Sequence, residues 1–215
     1  MENKFKQVSG YSLLIGAVFL IVAMTFHPSG GSIENIVRTK VSFMLSHALA
    51  IVSLPFIGFG FFGLSSALVS KSKMSFLALF ISFFGLVAAM IAGSVNGFAL
   101  PLFLSKVTRQ EEFNVATVTF IIRYGSYINI VMDYICLGFI SLAIAIWSVL
   151  IIKNVNHLKW LGYYGITILT CGLILAAYGY NLAGLFLFRI VVFAVVSWII
   201  LIAYKLLIIL RQEQN

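Results

Sequence analysis

The sequence predicts an all-α membrane protein: one bundle of six transmembrane helices, with both termini in the cytoplasm. Hydrophobic residues make up 62% of the 215 residues and charged residues 9%, whereas a soluble domain carries about 25% charged residues. Six apolar runs each supply the ~20 residues that a helix needs to cross the hydrocarbon core. Runs of this length exclude barrel strands. The connections are short, so a single domain covers 1–215.

The six predicted helices follow from these runs and from the breaks between them. The first ends at His27-Pro28, before a stretch rich in Gly and Ser, and no cleavage pattern follows it, so we expect it to be retained. Pro55 lies within the second helix. Gly97 and Pro101 are expected to loosen the third near its end. The predicted bounds are about 10–27, 41–69, 75–104, 125–152, 158–179 and 182–210.

Lysine and arginine predict the orientation. Basic residues of the termini and of two connections alternate as the positive-inside rule requires for cytoplasmic termini: Lys4, Lys6, Lys71, Lys73, Lys153, Lys159, Lys205 and Arg211. Residues 29–40 and 105–124 are then extracytoplasmic. This distribution explains most of the formal charge of +8, and no basic run predicts a nucleic-acid partner.

The longest connection, 105–125, holds a candidate amphipathic helix over 110–123. Its apolar side is formed by Phe113, Val118, Ile121 and Ile122. Such a segment lies on the outer membrane surface or caps the bundle. A packed surface loop is the simpler alternative.

Polar residues of the predicted spans nearly all fall in the outer halves of the helices: His27, His47, Asn96, Asn129, Asp133, Asn181 and Arg189. Ionisable groups inside a membrane are costly, so they usually face a bundle interior or a wet cavity and mark function. The sequence therefore predicts a polar pocket that is open to the extracytoplasmic side. The ligand-binding candidates are His47, Asp133, Arg189, Asn96, Asn129 and Arg123.

Asp133 is the only acidic residue within a predicted span. At a rise of 1.5 Å per residue, Asp133 and Arg189 both lie roughly 9 Å inside their helices. We therefore predict that they interact, directly or through water, with Arg123 as the second choice of partner. A buried pair that only fixes helix positions is the alternative.

His27, His47 and Asp133 together suggest a metal or proton site, because imidazole suits Zn, Cu and Fe and a carboxylate can complete the ligand set. The short 29–40 loop makes the first two helices antiparallel neighbours, so we expect the histidines to lie close together. No HxxxH or HExxH motif is present, and His27 is alternatively an interfacial residue before a helix-ending proline. Different depths of the two histidines argue against haem. No cofactor is expected apart from such a metal ion.

The chain contains four short motifs in the following order: His27-Pro28, Ser46-His47-Ala48, Asn96-Gly97-Phe98-Ala99-Leu100-Pro101 and Lys159-Trp160-Leu161-Gly162-Tyr163. Their combination resembles a broad set of uncharacterised small bacterial proteins with about six membrane helices. Those proteins often carry an acidic residue where this chain has Asn96. The resemblance implies a multi-pass protein of the bacterial cytoplasmic (inner) membrane and supplies no activity.

Three functions fit these observations. The leading hypothesis is that the protein binds or handles a small ligand, ion or lipid from the extracytoplasmic side without covalent chemistry. The second is a metal-dependent membrane enzyme that uses His27, His47 and Asp133 as ligands or acid/base groups. The third is an immunity factor or a membrane subunit of a complex, in which the polar residues are structural. The lipid bilayer and an unidentified small ligand are the expected partners. A homo-oligomer or a membrane complex is compatible with the sequence. No GxxxxGK[ST] loop predicts an ATPase.

Overall fold

The computed structural model describes residues 2–108 and 114–212, with side chains over 4–108 and 114–207. Over these residues the chain is helical and contains no strand. The α-helices are α1 Glu2–Thr25, α2 Ile33–Arg38, α3 Lys40–Val69, α4 Met74–Ser94, α5 Leu100–Val107, α6 Val115–Asn154, α7 Lys159–Ala177 and α8 Leu185–Gln212. A π-helical turn, Val95–Ala99, joins α4 to α5, and a 3-10 turn, Asn156–Leu158, precedes α7.

Six helical stretches in the described part of the chain are long and apolar enough to cross a membrane: Lys4–Thr25, Lys40–Val69, Met74–Val107, Val115–Asn154, Asn156–Ala177 and Leu185–Leu207. The predicted all-α class with six such helices is thereby confirmed. The side of the membrane on which the termini lie stays a prediction.

The predicted loosening of the third span is present as the π turn. The Leu100 N–H donates to the Val95 carbonyl, five residues earlier instead of four. Pro101 explains this wider turn, because proline has no N–H and its ring clashes with the carbonyl four residues before it. That carbonyl belongs to Gly97. A π turn of this kind lets a helix continue past the obstacle, and such turns are frequent at functional sites.

Helix α6 is much longer than predicted. It has 40 residues, which at 1.5 Å per residue makes roughly 60 Å, about twice the thickness of the hydrocarbon core. From Val115 onward the predicted amphipathic segment is not a separate surface helix, because those residues form the first turns of α6. Val118 is buried in an apolar cluster with residues of α2, α3 and α5, as the capping alternative predicted. The side chain of Asn114 begins this helix by accepting a hydrogen bond from the Thr117 N–H. Residues 109–113 of the predicted segment lie outside the described residues.

The helices pack through small residues. Helix α1 lies against α3 and α8, and α6 lies against α4 and α7. A Cβ atom at Gly60 of α3 would overlap Leu13 of α1, and a Cβ at Gly63 would overlap Ser9. These glycines therefore allow the two helices to approach closely. The main core joins α1, α3, α4, α6, α7 and α8 and includes the fully buried Trp147 and Trp198.

One end of the bundle, which we call the histidine end, gathers the end of α1 and the beginnings of α3, α6 and α8. It is the end that the sequence predicts to be extracytoplasmic. A second, smaller apolar cluster covers part of it and consists of Ile36, Phe43, Leu104 and Val118. These residues come from α2, α3, α5 and α6 in turn. The cluster forms an apolar cap beside the two histidines.

Candidate histidine site

His27 and His47 meet at the histidine end. Their Nε2 atoms are 3.3 Å apart, and their ring centroids are 4.7 Å apart with the planes tilted by 55°. His27 follows the end of α1, and His47 lies two turns inside α3. The chain between them turns back through the short helix α2, so α1 and α3 pack side by side. The prediction that the two histidines lie close together is confirmed.

The other nitrogen of each ring contacts a backbone carbonyl. His27 Nδ1 lies 2.9 Å from the Pro28 oxygen, and His47 Nδ1 lies 2.8 Å from the Phe43 oxygen. A carbonyl oxygen can only accept, so both Nδ1 atoms must carry the hydrogen and donate. In a neutral ring this assigns the lone pair to Nε2. The two Nε2 atoms that face each other are then both acceptors.

His27 is neutral around pH 7. Burial, followed by the nearby His47, lowers the pKa of His27 to about 4; Arg189 also lowers it, against the opposite effect of the hydrogen bond to Pro28. The unprotonated Nε2 of His27 therefore offers a lone pair toward His47. Only 7% of the His47 surface is exposed, whereas His27 is half-buried, so access to the pair is from the His27 side.

The position of His47 is determined by two neighbouring groups. The ring of Phe43, one helical turn earlier, stacks on it at a centroid distance of 6.1 Å and an interplanar angle of 13°. On another side, Gly97 of the π turn comes so close that a Cβ atom there would overlap the Cβ of His47. The loosened stretch of the third span is therefore part of the wall of this site. Sequence reasoning did not assign Phe43 to the site, although its position four residues before His47 places both on one helix face.

Arg189 joins the site from the beginning of α8. Its guanidinium Nη2 donates to the backbone oxygen of His27. Its Nε is buried and has no hydrogen-bond partner among the described residues. The contact connects α8 to the end of α1, against which α8 packs. The sequence predicts Arg189 as a ligand-binding residue, but with Asp133 as its partner.

Asp133 lies elsewhere. The Asn129 side-chain amide, one turn earlier on α6, donates to Asp133 Oδ2 over 2.7 Å. Within the described ranges no ion pair joins Asp133 to Arg189 or to Arg123, and no group of three or more His, Cys, Asp or Glu side chains could hold a metal ion. Among the described residues the structure thus shows neither a direct Asp133–Arg189 pair nor a metal-binding group of His27, His47 and Asp133.

The physical reason is direction around the helix axis. The rise per residue predicts equal depth for the two side chains, but depth does not determine which neighbour a side chain faces. Helix α6, which carries Asp133, packs against α4, whereas α8, which carries Arg189, packs against α1. The carboxylate and the guanidinium therefore belong to two different helix seams.

The remaining candidates do not contact the histidine pair. Asn96 is half-buried in the π turn and its side chain has no hydrogen bond within the described part of the chain, and Arg123 is exposed on α6. Asn181, in the α7–α8 connection, accepts a hydrogen bond from the Tyr134 hydroxyl over 3.1 Å. The site that the structure brings together consists of His27, His47 and Arg189, with Phe43 and Gly97 as its walls.

No protein-family model, curated protein or solved structure matches this chain. The resemblance to small bacterial membrane proteins stays a prediction for that reason. The function is inferred from the geometry of the histidine site.

Proposed function

We propose that this chain is a multi-pass protein of the bacterial cytoplasmic membrane that binds a small ligand or ion at its extracytoplasmic end, without covalent chemistry. The observation that carries the proposal is the Nε2–Nε2 distance of 3.3 Å between His27 and His47. Both rings already donate through Nδ1 to backbone carbonyls. Two lone pairs that face each other repel unless an electron-pair acceptor lies near both of them.

A direct hydrogen bond between the rings is a poor explanation of this arrangement. It would require one ring to be a cation with both nitrogens protonated, beside the guanidinium of Arg189. The distance of 3.3 Å also exceeds the usual range of about 2.7–3.2 Å for hydrogen bonds from nitrogen. A bound ligand or ion that accepts both lone pairs satisfies the same nitrogens without protonating either ring.

The surroundings are those of a binding site. The apolar cluster, of which Phe43 is the member that stacks on His47, excludes water from one side of the pocket. Exclusion of water strengthens polar interactions there. Arg189 contributes a positive charge and an Nε–H that has no partner in the described part of the chain. The site thus offers two lone pairs beside a positive charge. The distribution of Lys and Arg supports an outward orientation for it.

Ligand-dependent stability of the purified full-length chain tests the proposal. Thermal unfolding in detergent would be followed with divalent metal chlorides, carboxylates, phosphate, primary amines and phospholipids, using an affinity tag without histidine. A ligand at 100 times its Kd stabilises the folded state by about 2.7 kcal/mol. The exposed His157, at the other end of the bundle, supplies the matched control.

We expect at least one of these compounds to raise the unfolding midpoint of the wild type and of His157→Gln, and to leave His47→Gln unchanged. The proposal fails if every compound acts equally on wild type and His47→Gln. It also fails if no compound changes the midpoint of the wild type.

A further inference from the structure

The separation of the two histidine nitrogens matches the geometry of a metal site. Zinc-to-imidazole bonds of 2.0–2.1 Å at a tetrahedral angle place the two nitrogens about 3.3–3.4 Å apart. The Nε2 atoms of His27 and His47 are 3.3 Å apart. A single ion bound to both Nε2 atoms would therefore require little change in their separation.

The opposite nitrogens have the partners that metal-binding histidines need. A ligating imidazole usually donates its other N–H to a carboxylate, a backbone carbonyl or water, which fixes the tautomer and the ring direction. Pro28 and Phe43 supply such carbonyls, at 2.9 Å and 2.8 Å from the Nδ1 atoms. Both rings are thus held with Nε2 available before any ion arrives.

From these two observations we infer that the ligand is a borderline divalent transition-metal ion, Zn²⁺ or Cu²⁺, bound by the Nε2 atoms of His27 and His47. The inference rests on the proposed function and names the class of its ligand. Imidazole nitrogen is the ligand type that suits these ions, whereas Mg²⁺ and Ca²⁺ prefer oxygen. The site differs from the three-ligand set that the sequence predicted, since Asp133 takes no part.

Two protein ligands leave two tetrahedral positions open to external ligands such as water, hydroxide or an anion. The guanidinium of Arg189 disfavours a bare dication, so an anionic ligand on the metal is favoured. The guanidinium, whose Nη2 donates to the His27 backbone oxygen, supplies the positive charge beside the histidine pair that favours such an anion. An open, two-histidine site holds its ion reversibly, and this agrees with binding or handling and not with a permanent structural metal.

The test uses Zn²⁺ and Cu²⁺ themselves with the purified full-length chain, again without a histidine tag. Isothermal titration with zinc chloride gives stoichiometry and affinity, and electron paramagnetic resonance of the Cu²⁺-loaded protein counts the coordinated nitrogens. The variants are His27→Gln and His47→Gln, with His157→Gln as the matched control. Because His27 lies outside the helices, its variant leaves the bundle intact even if His47→Gln does not fold.

We expect one Zn²⁺ per chain, two coordinated nitrogens, and unchanged binding in His157→Gln. In either site variant the affinity should fall by more than the roughly 10–100-fold that loss of an outer-shell partner costs. The metal assignment is overturned if the wild type binds neither ion, or if His27→Gln binds as tightly as the wild type. If another compound still stabilises the protein through His47, only the metal assignment falls. If no compound does, the proposed function falls with it.

Discussion

Gly97 of the π turn lies directly against the Cβ atom of His47, with no room for a methyl group between them. This contact joins the third span to the second at the level of the histidine pair. It makes the loosened helix around Pro101 a part of the site and not merely a helix ending. The first prediction follows from it.

Gly97→Ala should destabilise the protein by about 1–3 kcal/mol, the usual cost of forcing extra volume into a packed interior. The base of His47 cannot move away as a flexible side-chain end would, so the ring should also lose its position. The measurement is the free energy of unfolding in detergent, together with ligand-dependent stabilisation.

Gly138→Ala serves as the control, because a Cβ at that exposed position on α6 meets nothing within 4 Å. It should leave stability unchanged or slightly raised, since alanine has the higher helix propensity. Equal effects of the two substitutions would contradict the close contact between Gly97 and His47.

Ser65→Ala should cost about 1–3 kcal/mol because it leaves a buried indole N–H without an acceptor. In the structure Trp147 Nε1 donates to Ser65 Oγ over 3.0 Å, and Ser65 Oγ donates to the Ser75 carbonyl over 2.9 Å. Trp147 is fully buried, so water cannot replace the lost partner. Unfolding free energies of the variant and the wild type measure the cost.

Ser148→Ala is the matched control for this network. Its hydroxyl is as deeply buried but has no hydrogen-bond partner among the described residues. Removing it should not lower stability. A loss in Ser148→Ala as large as that in Ser65→Ala would show that volume, and not the hydrogen bond to Trp147, determines the effect.

The effects of Asp133→Asn and Arg189→Gln on the free energy of unfolding should be additive. Asparagine retains an oxygen that can accept the hydrogen bond of Asn129, whereas Arg189→Gln removes the charged donor to the His27 carbonyl. Distant substitutions without shared partners add within about 0.3–0.5 kcal/mol. A double-mutant cycle on the free energy of unfolding measures this additivity. A coupling energy above about 1 kcal/mol would support the ion pair that the sequence predicted.

The orientation can be tested by cysteine labelling in intact cells, after Cys136 and Cys171 have been replaced. A membrane-impermeant thiol reagent should react with a cysteine at Ser32, which is exposed beside α2. It should not reach one at Ser72, between α3 and α4. The distribution of Lys and Arg carries this expectation. Labelling at Ser72 with protection at Ser32 would place the histidine site in the cytoplasm.

The sequence by itself determined the class, the number of helices that are long and apolar enough to cross a membrane, and the end of the bundle where His27, His47 and Arg189 gather. Those properties depend on local composition and on the rise per residue, which apolar runs and their breaks reveal directly. The loosened turn before Pro101 was also predictable, because proline acts on the helix that contains it.

Only the tertiary structure decided which polar residues meet. Two side chains at equal depth can face different neighbours, and the seams between helices are chosen by long-range packing of small residues such as Gly60 and Gly97. That choice placed Arg189 at the carbonyl of His27 and left Asp133 with Asn129. The length of α6 was decided in the same way, since its first turns are held by contact of Val118 with the apolar cap, which hydropathy along the chain does not record.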